Sequence, residues 1–233
     1  TKTLEYSVDA WAVAQLAQRL GKTDDYKILL NQSANFRNLF DRVTGFIRPR
    51  LESGDWAPGF DPTMTGTTRR WRDFTESNSW QGTWAAQHDP AAYAELLGSP
   101  RAFAEKLDAL FTQTPEIKGE VPLDMTGLVG MYAHGNEPSH HVAYLYNYTD
   151  APYKTQERVR DLLEGQYDNG PDGLAGNELE RVARTVETEL KAVPGTREVQ
   201  TIGGPGRAVH VWLDPVRLRE RGHAILIEPG LQG

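Results

Sequence analysis

Apolar residues recur with helical spacing at the start of the chain. They lie at i, i+4, i+7, i+8 and i+12, the spacing of a helix that buries one face. A glycine at position 21 then predicts a left-handed helix end. The pattern predicts a first helix with a buried stripe formed by Leu4, Val8, Trp11, Ala12 and Leu16.

A second helix is predicted to begin at Thr23 as its N-cap, with Asp24 and Asp25 in the first turn. Its apolar residues continue through Leu29 towards Phe40. Because only a short connector separates the two predicted helices, we expect them to run antiparallel.

Polar loops and helical segments alternate over the next hundred residues. Residues 45–71 are rich in glycine, proline, aspartate and threonine, which predicts a long loop of the kind that carries function. Further helices are predicted over residues 75–84, from Ser99-Pro100, from Glu137-Pro138 and from a Thr155 cap. The last of them presents Val159, Leu162, Leu163 and Tyr167. The predicted fold class is therefore mainly α.

Composition changes near residue 177. Of the 22 aromatic residues only Trp212 lies beyond it, and the eight basic and eight acidic residues from Glu178 onward cancel. In this tail the pattern predicts a helix carrying Val182, Val186 and Leu190, two strands over 198–202 and 208–213, and a short final helix. We predict two domains, residues 1–177 and a small tail over 178–233 whose residues 178–221 form an αββα unit, with few contacts between them.

Composition also excludes several function classes. The chain has no cysteine, so disulfides, thiolate metal sites and a cysteine nucleophile are impossible. A formal charge of −7 disfavours a nucleic-acid partner. No apolar run is long enough to span a bilayer, and the first residues predict a helix instead of a signal peptide.

The first polar cluster spans residues 74–81 and combines Glu76, Asn78, Trp80 and Gln81. A tryptophan that stacks on a pyranose, beside a carboxylate and amides that bind hydroxyls, suits a sugar site. An indole also raises the pKa of a neighbouring carboxyl, as a general acid requires. The alternative is a capping Thr75 paired with Glu76, next to a buried tryptophan.

The second polar cluster spans residues 132–141 and holds His134, Asn136, Glu137, His140 and His141. Zinc is disfavoured, because adjacent helical histidines point about 100° apart and do not share a metal. Asn136 and Glu137 offer the oxygen ligands that calcium prefers. The alternative is that His134 and His140 are hydrogen-bonded residues at a helix end. A third segment, 168–177, is explained by turn chemistry.

Together these segments resemble glycoside hydrolase family 92. The resemblance rests on residues 2–6 with Asp9, on 44–46, on 74–81, on 132–148 with its run AHGNEPSHHVAYLYNY, on 154–156 and on 171–174. It covers residues 1 to about 177. The tail weakly resembles a porter-domain repeat of resistance-nodulation-division efflux pumps, through residues 192–195, 202–204 and 211–218.

The resemblance to family 92 implies a calcium-dependent exo-α-mannosidase that inverts the anomeric centre and trims N-glycans or mannans. It implies a partial (α/α)6 toroid whose N-terminal β-sandwich and remaining helices are missing, and a secreted or periplasmic setting. Glu76 then corresponds to the general acid, and Asn136 and Glu137 to a calcium-binding segment. The substrate-binding candidates are Trp80, Gln81, His88, Asp89 and His134. We expect Glu76 and Glu137 to face one cavity.

The sequence also departs from the family pattern. Leu179 stands where the resemblance places the general base, with Glu178 one residue earlier, and Gly82 and Gln87 replace an expected tyrosine and proline. An inverting glycosidase needs a second carboxylate to activate water. We therefore expect this chain to be inactive alone. The alternatives are a non-catalytic sugar-binding module and a non-functional chimera of two fragments.

Overall fold

The structure is a computed structural model that describes residues 2–65, 73–122, 125–169 and 190–192. The predicted αββα unit lies outside these residues except for 190–192, and so do Glu178 and Leu179. The described part of the chain consists mainly of helices, with two short antiparallel strand pairs.

The chain begins with a helical hairpin of α1 (Lys2–Arg19) and α2 (Thr23–Ser33), which pack against each other. Gly21 takes the predicted left-handed conformation, with a φ of 69°. The predicted Thr23 cap is wrong by one residue. The turn is so short that the first helical bond of α2 runs from the Tyr26 amide to the Lys22 carbonyl, at 2.9 Å. Lys22 therefore takes the cap position, without a side-chain capping bond.

The buried face of α1 differs from the predicted stripe. It consists mostly of small side chains, Leu4, Ser7, Ala10, Ala14 and Ala17. Trp11 is 38% exposed and Leu16 is 55% exposed, so only Leu4 of the predicted stripe is buried. The prediction failed because it followed the large apolar residues, whereas α1 packs through its alanines.

Large apolar side chains remain on the outside of the hairpin. Tyr6, Val13 and Leu16 of α1 and Leu20 just after it are all at least half exposed and follow one stripe by helical spacing. Ile28 of α2 is also more than half exposed. We call Tyr6, Val13, Leu16 and Leu20 the apolar stripe of α1.

A 3₁₀ helix (Ala34–Leu39) leads from the hairpin into β1 (Phe40–Asp41), which pairs with β2 (Phe46–Ile47). The register pairs Phe40 with Ile47 and Asp41 with Phe46. Most of the following residues up to 65 form loop, as predicted.

Three helices follow, α3 (Ser79–Gly82), α4 (Ala91–Leu97) and α5 (Pro100–Thr112). The α5 prediction is confirmed, since the Ser99 hydroxyl accepts the Ala102 amide hydrogen at 3.0 Å and Pro100 opens the helix. The prediction of a helix from Thr75 is wrong, because α3 starts only at Ser79. The short helix α4 was not predicted.

The last third contains β3 (Leu128–Val129) paired with β4 (Tyr132–Ala133), a second 3₁₀ helix (Glu137–Tyr148) and α6 (Tyr153–Gln166). The predicted helix after Glu137 is confirmed in position. Thr155 does not cap α6. It lies buried inside the helix and donates to the Asn147 side chain at 3.0 Å, while Pro152 occupies the cap position.

Aromatic rings fill the centre of the core. The rings of Trp84 and Phe103 stack at 5.8 Å, and Tyr93 lies 5.3 Å from Trp84 and 5.5 Å from Phe103. The buried Tyr93 hydroxyl is satisfied, since it accepts the Ala86 amide hydrogen at 3.0 Å. No helix in the described part of the chain is long and apolar enough to cross a membrane.

Replacing Gly130 by alanine is expected to destabilise the protein strongly. A Cβ at this position would lie 2.5 Å from the Leu110 carbonyl oxygen, and its φ of 61° is unfavourable for alanine. We expect a loss of about 3 kcal/mol or more in the free energy of unfolding. Gly59→Ala is the matched control, because Gly59 has a φ of 70° but open space around it, and should lose only about 1 kcal/mol. Equal losses in urea denaturation would contradict the predicted overlap.

Candidate active site

The side chain of Asn78 organises the first polar cluster. Its Oδ1 accepts the amide hydrogens of Trp80 at 3.0 Å and Gln81 at 3.4 Å, which starts α3. Its Nδ2 donates to the Thr63 carbonyl at 3.4 Å. Asn78 is fully buried, so these bonds replace solvent contacts. The N-cap is thus Asn78 instead of the predicted Thr75.

Glu76, two residues before this cap, has an unusual backbone. Its φ of 52° is in the left-handed region, and it is the one non-glycine residue with positive φ in the described part of the chain. A left-handed conformation costs a residue with a Cβ about 1–2 kcal/mol. The surrounding structure therefore holds Glu76 in a conformation that its own backbone disfavours.

The second polar cluster reaches Glu76 through Asn136. The Asn136 Nδ2 donates to the Glu76 carbonyl at 3.4 Å, across 60 residues of sequence. The backbone oxygen of Asn136 accepts from the amide and the hydroxyl of Ser139, at 2.9 and 2.7 Å. The loop before the second 3₁₀ helix is therefore fixed beside the loop before α3.

These loops and α1 enclose a cavity of about 380 Å³, within the range of small-molecule sites. Three carboxylates line it, those of Glu5 and Asp9 from α1 and that of Glu76. Glu5 and Asp9 are one helical turn apart, so they project from the same side of α1. Sequence analysis matched them to the family but assigned them no role. The remaining polar lining includes Gln81, Gln87, Asn136, Ser139 and His141.

Only some of the predicted site residues line this cavity. Glu76, Gln81 and Asn136 line it, and Gln81 is fixed by donation to the Met131 carbonyl at 3.0 Å. Glu137 is exposed and is absent from the lining, so the expectation that both carboxylates face one cavity is met for Glu76 alone. Trp80 also lies outside it, with its ring edge-on to that of Phe46 at 4.8 Å.

His88 and Asp89 make structural contacts outside this cavity. The His88 ring lies 5.4 Å from the ring of Phe36, and its Nε2 is 2.9 Å from the Ser33 carbonyl oxygen. Asp89 pairs with Arg37 at 3.0 Å. Their predicted roles in substrate binding remain predictions.

His134 sits in a buried hydrogen-bond chain beside the cavity. Its Nδ1 is 2.9 Å from the Tyr132 hydroxyl and its Nε2 is 2.8 Å from the Tyr167 hydroxyl. The His140 ring stacks on it at 4.7 Å. Burial, with a smaller contribution from His140, lowers the pKa of His134 to about 4. His134 is therefore neutral at pH 7, with one ring nitrogen donating and the other accepting.

His141 lines the cavity with both ring nitrogens near carbonyl oxygens. Its Nδ1 is 2.9 Å from the Pro138 oxygen, and its Nε2 is 2.8 Å from the Trp84 oxygen. Burial lowers the pKa of His141. Sequence analysis considered this residue only as a zinc ligand. Its place in the lining depends on Trp84, which is 57 residues away in sequence.

The described residues contain no group of three acidic, histidine or cysteine side chains that could hold a metal ion. One oxygen is nevertheless suited to a cation. The buried Asn136 Oδ1 has no hydrogen-bond partner among the described residues, although Nδ2 of the same amide is bonded. An unpaired buried carbonyl oxygen is unfavourable, and coordination to a hard cation would satisfy it.

Residues 1–178 match the family model described as the glycosyl hydrolase family 92 catalytic domain. The chain belongs to glycosyl hydrolase family 92. An uncharacterized secreted glycosidase of Arthroderma benhamiae is 25% identical over 198 residues, which are 76% of this chain and 23% of the relative.

Two solved family 92 structures from Bacteroides thetaiotaomicron share the fold. An α-mannosidase in complex with mannoimidazole has a TM-score of 0.67 and 40% identity, over 75% of this chain and 23% of its own. An inverting mannosidase has a TM-score of 0.63 and 33% identity, over 81% and 26%. The chain thus spans about a quarter of these family 92 proteins. The mainly helical fold is the expected part of an (α/α)6 toroid.

Glycine at position 76 is expected to be more stabilising than alanine, the reverse of the usual order. Glu76→Gly and Glu76→Ala both remove the carboxylate, but only alanine keeps the strain of a φ of 52°. We expect the glycine variant to be about 1 kcal/mol more stable to urea. If the alanine variant is the more stable, the left-handed conformation is not present in solution.

Acid is expected to destabilise the protein through His134. Its pKa is about 4 when folded and near 6.5 when unfolded, so the unfolded chain binds more protons between these values. The stabilisation is complete above pH 6.5 and is lost as the pH falls towards 4, by roughly 3 kcal/mol. His134→Gln should flatten this pH dependence in urea titrations. A ring NMR titration of His134 with a midpoint near 6.5 would contradict the prediction.

Proposed function

We propose that residues 1–177 are catalytic-domain sequence of a calcium-dependent, inverting exo-α-mannosidase with Glu76 as its general acid. The observation that carries this proposal is the placement of Glu76. Glu76 lines the cavity, and its backbone is in the left-handed conformation. The side-chain amide of Asn136, from the second polar cluster, donates to its carbonyl oxygen. Strained residues persist where surrounding structure holds them, and they concentrate at active sites.

The chemistry assigned to Glu76 is protonation of the leaving glycosidic oxygen. Inversion also requires a carboxylate on the opposite face of the sugar to deprotonate water. Glu178, the candidate from sequence, lies outside the described residues. Glu5 and Asp9 supply two other carboxylates to the same cavity, on a different element from Glu76. They are the alternative candidates for this role.

Calcium would be held through Asn136, whose buried Oδ1 lacks a partner in the part of the chain that the structure describes, and through Glu137 as the resemblance implies. When bound, the ion would supply positive charge that grips sugar hydroxyls and helps distort the ring. Calcium takes about six to eight oxygen ligands, so Asn136 and Glu137 form only part of such a site.

The proposed substrate is a glycan that ends in α-mannose, from N-glycans or mannans. Supporting it are the mannosidase relatives and the polar lining of the cavity, in which the Gln87 amide offers hydrogen-bonding groups to sugar hydroxyls. We infer a secreted or periplasmic location, since one relative is described as a secreted glycosidase.

A non-catalytic sugar-binding module is the second candidate. The departure after Asn177 favours it, because Leu179 replaces the expected base. A glycosidase fold without a carboxylate to deprotonate water would bind its sugar without hydrolysing it.

This chain alone is therefore expected to release no mannose from an α-mannose disaccharide above the buffer rate, with or without calcium. Loss of one member of an acid–base pair alone lowers a rate by about 10²-fold to 10⁴-fold. The assay is run beside Glu76→Gln. Turnover that requires both calcium and Glu76 would contradict the prediction, and Glu5→Gln and Asp9→Asn would then show which carboxylate serves as base.

Binding is measured separately from turnover. Under the mannosidase proposal, calcium should raise the melting temperature of the wild type, and Asn136→Ala should remove that rise. Mannoimidazole, bound by the solved relative, serves as the sugar-site probe in calorimetry. Sugar binding without any calcium effect would support the binding module and argue against a calcium-dependent enzyme.

A further inference from the structure

The structure has a second cavity, of about 410 Å³. It is lined by the β1–β2 turn and by α4 and α5, and shares no lining residue with the Glu76 cavity. Its walls combine apolar side chains with two cationic groups, as shown by Phe40, Arg42, Thr44, Leu97, Lys106 and Ala109.

The amine of Lys106 lies closer to an aromatic ring than the other cations that contact rings in the described part of the chain. Its Nζ lies 3.2 Å from the centroid of the Phe46 ring and 4.8 Å from that of Trp80. No carboxylate within the described residues pairs with it, whereas Lys118 and Lys154 each contact an aspartate. Burial lowers the pKa of Lys106 to about 8. The amine is thus desolvated and has no anion to balance it.

Arg42 adds a second cation to the same cavity. Its guanidinium donates one long bond, 3.4 Å to the Leu96 carbonyl, and has no ion pair among the described residues. The nearby acids bond other cations. Glu105 lines the cavity but bonds Arg101 at 2.9 Å, and Glu95 bonds Arg37 at 2.6 Å and reaches Arg42 only through a longer-range electrostatic interaction. Two cations that form no ion pair within the described residues therefore face one cavity, in a protein with a net charge of −7.

We propose that this cavity binds a small organic anion, a carboxylate or phosphate carried on a group of sugar size, through Lys106 and Arg42. An anion would supply a negatively charged partner to both side chains. Guanidinium groups bind carboxylates and phosphates in bidentate geometry. The apolar walls would cover the uncharged part of the ligand. The site is separate from the proposed mannosidase cavity and does not depend on that activity.

Anion binding at this site is coupled to a proton. The ligand binds the protonated form of Lys106, so affinity is greatest below pH 8 and falls as the pH rises through that value. Binding in turn raises the pKa of Lys106, and the protein takes up a proton near pH 8. Of the neighbouring acids, Glu105 pairs with Arg101, and Glu95 pairs with Arg37 while also interacting electrostatically with Arg42.

The test compares glucuronate with glucose, which differ in charge but little in size, and adds inorganic phosphate as a third probe. Calorimetry at pH 7 and pH 9 in two buffers of different ionisation enthalpy reports affinity and proton uptake. We expect glucuronate to bind and glucose not to bind, with an affinity about tenfold weaker at pH 9 than below pH 8. Weaker binding of phosphate than of glucuronate would support an organic anion, whereas phosphate binding as tight as that of glucuronate would show that a free ion suffices and would overturn the proposal.

Lys106→Met and Arg42→Gln should each weaken glucuronate binding, the first by at least tenfold. Lys118→Met is the matched control, because Lys118 lies in a surface ion pair with Asp61, and it should bind as the wild type does. Equal binding of glucose and glucuronate, or equal weakening in the control, would overturn the proposal. If Lys106→Met does not fold, NMR titration of the wild-type Lys106 amine decides, since a pKa unmoved by glucuronate also overturns it.

Discussion

The amide of Asn78 is the constraint on which the candidate site depends. Its two ends bond the start of α3 and the Thr63 carbonyl with no exposure to solvent. A buried donor or acceptor left without its partner costs about 1–3 kcal/mol, so this arrangement tolerates little change. Because α3 can begin only where Asn78 caps it, the chain must turn sharply just before it, and Glu76 occupies that turn.

Neighbouring residues of the short helix α3 contact different parts of the structure. Gln81 and Gly82 contribute to the Glu76 cavity, while the Trp80 ring contacts Phe46 and Lys106. The Ser79 and Thr83 hydroxyls anchor the helix to Ile47 of β2, through its carbonyl at 2.6 Å and its amide at 3.1 Å. A helix of one turn is not stable by itself, so its position comes from these tertiary bonds.

Sequence predicted the elements whose signals are local. The start of α5 was predicted because Ser99 and Pro100 act within one turn, and Gly21 was placed because its backbone conformation is intrinsic to glycine. The buried face of α1 was not predicted, since burial there follows the neighbours and not side-chain size. The start of α3 was missed for the same reason, because Asn78 and Thr75 look alike as caps until Thr63 is in place.

For the candidate site, sequence identified Glu76, Gln81 and Asn136, which the fold brings to one cavity. It did not show that Glu137 points elsewhere, although Asn136 beside it lines the cavity. Side chains of adjacent loop residues point in different directions, and the sequence alone does not show which of them faces the cavity. The presence of Glu5 and Asp9 in this cavity was missed because they lie in another helix, about 70 positions before Glu76.

The apolar stripe of α1 affects the self-association of the protein in solution. Like charges keep molecules with a net charge of −7 apart, whereas exposed Tyr6, Val13, Leu16 and Leu20 favour contact between them. Added salt weakens only the first of these forces, because screening shortens the reach of charge to about 8 Å at physiological ionic strength. Colloidal stability is therefore greatest in dilute buffer at alkaline pH, and self-association should increase with ionic strength.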